Sequence, residues 1–262
     1  MAPATPKDES SEILVPWANR WSESRIRWHK EDPHHYLIKY ENILFPSPSS
    51  ENTCEESKAE PARVFVPLCG KTVDMKFFAE HKLVSEVVGI DGIKKALVEF
   101  ADEHPSLKIK EIDGIKAVER FQGNNISLLK GDLFDIDETM TGGKFDVILD
   151  RASIVAIDPS LRSKYVEIMG KVLKPGGSIL LITIDRRAGT KEAVEKGPPF
   201  SVNDSEIERL YSLEWVESIT KLDELDEFKD EESKKRWSMQ GIDSLFELCY
   251  IIKAKNQSRS NL

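Results

Sequence analysis

Two carboxylates in this chain stand where apolar runs end. Asp91 closes Val87-Val-Gly-Ile-Asp91, and Asp132 follows the run 126–130 inside Gly131-Asp-Leu-Phe-Asp135. An acid at the end of a second parallel strand is the expected partner of ribose hydroxyls, some twenty residues after the turn that holds the rest of a nucleotide. That turn is Pro67-Leu-Cys-Gly70, between the apolar run 63–66 and an amphipathic stretch beginning at 72. It carries one glycine and no G-x-G-x-x-G, so a pyrophosphate would find few backbone amides to cradle it. The pattern points to an adenosine-containing cofactor without phosphates, and S-adenosylmethionine is such a cofactor. Asp132 is placed to accept from an adenine amino group, with Leu133 packing the ring face. The plainer explanation of Asp91 is a helix N-cap.

Trp17, Trp21 and Trp28 are spaced by four and seven, so on one uninterrupted helix they share a face. That face would either dock on the core or roof a pocket, where indoles attract a sulfonium by about 0.5 to 2 kcal/mol. Arg151 follows the apolar run 145–150, and a local ion pair with Asp150 is its bland alternative. Arg236 lies in the stretch 221–236, whose mixed charges read as a solvated loop or helix. Among the five histidines, His29, His34 and His35 cluster near Pro33 without a cysteine or acid at ligand spacing, so no metal is expected. Cys69 has no histidine paired with it in sequence and reads as a small buried residue, not a nucleophile.

The elements that must position these residues alternate. Strands are expected at 63–66, 84–90, 126–130, 145–150 and 178–184, with helices at 72–80, 92–104 and 158–173, which means a parallel sheet. Lys174-Pro-Gly-Gly177 stops the last of these helices. Asn203 and Glu206 have the spacing of a capping box for a helix at 204–211. The runs 215–221 and 245–253 supply final strands that could close the sheet with an antiparallel member. Before the sheet, residues 1–12 read as a disordered tail, 13–45 as a helical cap broken at Pro33, and 46–62 as a flexible Ser/Pro/Glu connector; 63–256 is the main domain.

A chain of 262 residues with 40% hydrophobic and 32% charged residues holds one large α/β domain. A net charge of -9 gives no field for a phosphate backbone, so small molecules are the expected partners, not nucleic acid. Cys54, Cys69 and Cys249 form no framework and indicate a reducing, cytoplasmic setting. The N-terminus lacks a signal-peptide core, and no apolar run is long enough to span a bilayer, so no membrane is expected. A monomer is expected.

Taken in order, Phe65-Val-Pro-Leu-Cys-Gly-Lys71, Val88-Gly-Ile-Asp91, Phe145-Asp-Val-Ile-Leu-Asp-Arg151, Gly197-Pro-Pro-Phe200, Glu206-Ile-Glu-Arg-Leu210 and Gly241-Ile-Asp-Ser-Leu-Phe246 resemble the thiopurine S-methyltransferase family, over about 17–254. The resemblance implies an α/β, doubly wound, mostly parallel Rossmann-like sheet of seven strands, with an antiparallel strand near the C-terminus and an N-terminal helical extension. It implies S-adenosylmethionine as donor, S-adenosylhomocysteine as product, no metal, and transfer to the sulfur of an aromatic or heterocyclic thiol. Carried over by position, Trp17, Trp21, Leu68, Gly70, Asp91, Asp132, Leu133 and Arg151 would hold the donor. Trp28, Arg151, Pro199, Phe200 and Arg236 would face the acceptor, with Arg151 and Arg236 as catalytic residues that favour its thiolate.

The chain departs from the family in reading Asp185-Arg186-Arg187 after Ile184, where an aromatic residue is common at about that last position. Its connector is long, and Trp28 replaces a phenylalanine. Other small acceptors (hydrosulfide, a selenium compound, a halide) and a catalytically silent protein that binds S-adenosylmethionine therefore stand as alternatives. A dinucleotide oxidoreductase is disfavoured by the single-glycine turn.

Overall fold

Two helices precede the first strand: α1 (Glu9–Ser22) and α2 (His35–Leu44), with Pro33 in the segment between them. The computed structural model describes residues 9–46, 60–116 and 118–256. Helix α1 thus begins inside the stretch expected as a tail, while residues 1–8 and 47–59, with Cys54, lie outside the described residues. His34 caps α2, its Nδ1 accepting from the Tyr36 N–H at 3.2 Å.

The alternation then runs as its apolar periodicity dictates: β1 (Ala62–Val66), α3 (Asp74–Ala79), β2 (Val84–Asp91), α4 (Lys94–Glu103), a hairpin of β3 (Lys110–Ile115) and β4 (Val118–Gln122), and β5 (Ile126–Lys130). It continues with α5 (Glu138–Thr141), β6 (Phe145–Arg151), α6 (Arg162–Val172), β7 (Leu173–Arg187), α7 (Lys191–Glu195), α8 (Asp204–Tyr211), β8 (Val216–Asp226), α9 (Glu231–Ser238) and β9 (Ser244–Ala254). The strand order is β3-β4-β5-β2-β1-β6-β7-β9-β8. Pairs β5/β2, β2/β1, β1/β6 and β6/β7 are parallel, and β9 runs antiparallel to both β7 and β8.

The expected sheet is present and longer at one edge. Seven strands carry the anticipated mostly parallel arrangement, and β3 and β4 add an antiparallel hairpin beside β5. The hairpin escaped the sequence reading because β3 (KEIDGI) is almost wholly exposed and gives no apolar run. In the charged stretch 221–236, β8 continues to Asp226 and α9 follows, where a loop or helix was expected. As the outer strand of the sheet, β8 needs no continuous hydrophobic pattern, and its charges deter edge pairing.

Burial locates the core on both sheet faces. Phe65, Ile148 and Ile179 pack with α6 and α8 residues such as Tyr165 and Ile207 on one side. Val64, Val147 and Leu180 pack with Leu37, Phe78 and Leu97 from α2, α3 and α4 on the other. The chain works outward from β1 to β2 and β5, then returns to β6 beside β1. That reversal makes the carboxyl ends of β1 and β6 the natural crevice for a ligand.

Candidate active site

The turn after β1 forms the first wall of that crevice. Cys69 N–H donates to the Ile90 carbonyl at 2.9 Å, fastening the turn to the end of β2. Leu68 takes φ +43 and Gly70 φ +52, a left-handed bend that leucine ordinarily avoids. A Cβ on Gly70 would stand 3.2 Å from Trp21 Cζ2, so glycine lets the indole close onto the turn. Bent this way, the backbone aims Gly70 N–H at Asp91 Oδ2 (2.9 Å), while Ile93 N–H reaches Asp91 Oδ1 (2.8 Å). Burial outweighs these two donors and pushes the Asp91 carboxyl up to about 6. The Cys69 thiol is also pushed up, by burial and then by Asp91, which keeps it protonated and unreactive.

A cavity of about 540 Å³ opens over these strand ends, lined by Leu68, Gly70 and Asp91. From the end of β5, Asp132 and Leu133 join it; one Asp132 oxygen already accepts the Phe134 N–H at 2.8 Å, a cap that the sequence reading did not anticipate. Arg151 enters from the end of β6, and Ala152 beside it takes φ +60. Its neighbour Asp150 points elsewhere: fully buried, it accepts from Ile154 N–H (3.1 Å) and Tyr165 O–H (2.8 Å). Burial raises Asp150 to about 6. Arg151 instead donates from Nη2 to the Trp28 carbonyl at 2.9 Å, so the local ion pair is not what holds it.

Trp17, Trp21 and Trp28 all line the cavity, but not from one helix. Helix α1 ends at Ser22, the chain turns through Ser24 at φ +55, and Trp28 returns to meet the other two edge-on. Its ring lies 5.4 Å from Trp17 and 6.2 Å from Trp21, centroid to centroid. The expected shared face is therefore a tertiary cluster.

Pro199 reaches the cavity, whereas Phe200 and Arg236 do not line it. Phe200 N–H donates to the Val155 carbonyl (2.6 Å), and its ring lies 5.7 Å from the Arg162 guanidinium. Arg236 is exposed on α9 beside Trp237. Sequence reasoning missed His29, Lys71, Ile93 and Val155 as wall residues. Only Lys71 and Ile93 carried a signal, through their closeness to Gly70 and Asp91 in the chain. Burial and then the Lys71 ammonium lower the His29 pKa, so its ring is neutral above the ordinary histidine range.

The fold also brings an acid to the histidines near Pro33. Glu247 of β9 lies 3.2 Å from His34 Nε2 and 3.8 Å from His35 Nε2, a grouping that the linear sequence hides. His34 Nδ1 already accepts the Tyr36 N–H, so its proton sits on Nε2 and is donated to Glu247. Metal ligation through Nε2 would displace that proton, and the arrangement works as a hydrogen-bonded clasp between α2 and β9.

The sequence model of thiopurine S-methyltransferase matches residues 14–255. This chain belongs to that family. Thiopurine S-methyltransferase of Bos taurus is 36% identical over 245 residues, covering 92% of this chain and 90% of the relative. That of Legionella pneumophila (strain Corby) is 37% identical over 195 residues, covering 74% and 79%. Solved structures show the shared fold: Burkholderia thailandensis 1,6-didemethyltoxoflavin-N1-methyltransferase superposes with a TM-score of 0.56 at 14% identity, covering 98% of this chain and 93% of that one. A Haemonchus contortus phosphoethanolamine N-methyltransferase reaches 0.63 at 13% identity, covering 97% and 62%. As a thiopurine S-methyltransferase family member, the chain is a methyltransferase dependent on S-adenosylmethionine. Its cavity fits that cofactor: a buried carboxylate, a turn whose Gly70 lets the Trp21 indole pack closely on it, and an indole wall suited to a cation. Among the described residues no helix is long and apolar enough to cross a membrane.

Proposed function

We propose that this protein transfers a methyl group from S-adenosylmethionine to the sulfur of an aromatic or heterocyclic thiol, giving a thioether. The observation that carries this reading is the convergence of Asp91, Arg151 and the three indoles on one cavity. When bound, the cofactor supplies a methyl group on a positively charged sulfur. Asp91 binds the ribose diol with the lone pairs that Gly70 and Ile93 leave free, Leu133 packs the adenine, and Asp132 accepts from its amino group. Trp17 and Trp21 exclude water from the cationic end and favour its charge.

Arg151 acts on the acceptor side. Its guanidinium favours the anion of a thiol over the neutral form, and an acidic aryl thiol is already ionised near neutral pH. Transfer to a thiolate cancels charge, so the work of the site is alignment and dehydration, not proton removal. Trp28 covers the acceptor. The test is turnover with labelled donor over aryl thiols, thiopurines, phenols and hydrosulfide. Methylation of aryl thiols and not of phenols is expected, and the reverse would overturn the proposal.

A further inference from the structure

The peptide joining Trp28 to His29 is fixed at both of its polar atoms. The Trp28 carbonyl accepts from Arg151 Nη2 at 2.9 Å, and the His29 N–H donates to the Ile26 carbonyl at 2.8 Å. Backbone bonds thus hold the segment here, and the His29 side chain starts from a set position on the cavity wall. Its ring takes no part in that fastening. Nδ1 is buried and has no hydrogen-bond partner among the described residues. Other side chains leave a buried polar atom unpaired, Arg162 among them, but within that group His29 alone lines the cavity. Only there can a molecule bound in the cavity recover the lost hydrogen bond.

The charges around the ring decide its form. Burial, then Lys71 in the turn after β1 and Arg151 at the end of β6, oppose a positive charge on it, and they prevail over Glu103 and Glu31. A donor sulfonium would push the same way, so the imidazole is neutral and can keep its hydrogen on Nδ1 to donate it. Lys71 is committed to Glu99 and Glu103 at 3.0 and 2.6 Å, which leaves His29 as the neutral polar group beside Trp28. Because β1 and β6 are neighbours at the reversal of strand order, a ring that feels both strand ends stands where donor and acceptor meet.

We propose that His29 determines the choice of acceptor, its imidazole donating a hydrogen bond to a ring nitrogen beside the sulfur of a heteroaryl thiolate. The inference rests on the thiol-transfer reading above and adds the residue that reads the ring. In such an anion the charge is shared between the sulfur and the adjacent nitrogen. Arg151 faces the sulfur and His29 the nitrogen, two contacts that orient the ring and leave a sulfur lone pair for the methyl group. The carbon–sulfur bond to the acceptor forms as the one to the donor sulfur breaks, and no proton moves. A hydrogen-bonded nitrogen is withheld from methylation.

The experiment is calorimetric binding of three neutral product analogues, at about pH 8, to protein saturated with S-adenosylhomocysteine: 2-(methylsulfanyl)pyridine, its 4-isomer and thioanisole. They share a shape and differ only in the ring nitrogen. The 2-isomer should bind at least about fivefold more tightly than the other two, and His29→Phe should remove that advantage while leaving thioanisole within about twofold of its wild-type affinity. Should His29→Phe fail to fold, the nitrogen-15 shifts of the wild-type His29 ring carry the test: the 2-isomer should move them and thioanisole should not. Equal binding of the two pyridines, unmoved shifts, or an advantage that survives His29→Phe would overturn the role of His29. Thioanisole bound as tightly as the 2-isomer would leave the thiol-transfer reading standing alone, whereas methylation of phenols and not of thiols would remove both.

Discussion

Arg151 and Trp28 lie 123 residues apart, and the Arg151 guanidinium donates to the Trp28 carbonyl at 2.9 Å. One side chain thus lines the cavity floor and ties down the segment that carries part of its indole wall. Substrate-side electrostatics and closure of the cap are coupled through a single fork of donors.

Arg151→Lys keeps the charge and loses the fork. An ammonium on a shorter reach cannot serve the cavity and the Trp28 carbonyl together, so kcat/KM should fall by about 10- to 100-fold. Limited trypsin digestion should show faster cleavage at Arg25, Arg27 and Lys30, because the segment 23–34 loses its tie. Unchanged digestion would separate the two roles.

Asp91 illustrates a cost placed at a binding site. Burial holds its carboxyl at about 6, above the ordinary 3.8, so the ligand-free fold binds a proton that the unfolded chain has released. Stability therefore falls as pH rises from about 4 to 6, by an amount on the order of 3 kcal/mol for this group. Asp91→Asn should flatten that slope in denaturant titrations while weakening donor binding. Asp150, raised in the same direction, leaves a residual slope in the variant.

The same ionisation separates binding from chemistry in pH profiles. With an aryl thiol that stays ionised, kcat at saturating donor should be flat, since no protein group must take a proton. The ratio kcat/KM for the donor should decline below about 6 as Asp91 protonates. An enzyme-derived limb in kcat would indicate an obligatory base.

Tyr165→Phe tests the support beneath Arg151. Removing the 2.8 Å donor leaves the buried Asp150 carboxylate with only the Ile154 N–H, costing about 1 to 3 kcal/mol. The loss should be larger at pH 7.5 than at pH 5, where Asp150 is protonated in both proteins. Urea midpoints at the two pH values measure it.

How much of this was legible in sequence follows from where the information lies. The turn 67–70, Asp91 and Arg151 were readable because strand ends are marked by the runs before them, and β1, β2 and β6 fall where those runs predict. In the hairpin, β3 faces solvent and needs no apolar pattern, and β4 buries only Val118 and Phe121, too few to mark a run. Trp28 shares a cavity wall with Trp17 and Trp21 but not a helix face, because helical spacing cannot register a chain reversal at Ser24. His29, Val155 and the union of Glu247 with His34 depend on contacts distant in sequence, and no local signal encodes them.

Trp21 and Trp28 should respond differently to truncation. Trp21 is 3% exposed and packs on Gly70, so Trp21→Ala empties a filled site and should cost about 3 to 5 kcal/mol of stability. Trp28 is less buried and is held by its backbone carbonyl as well as its ring, so Trp28→Ala should lower stability by less. Its main effect should be on turnover, because a gap in the indole wall admits water beside the reacting sulfur. Unfolding midpoints paired with single-turnover rates check this. A Trp28→Ala protein with full single-turnover rate would remove Trp28 from the acceptor side.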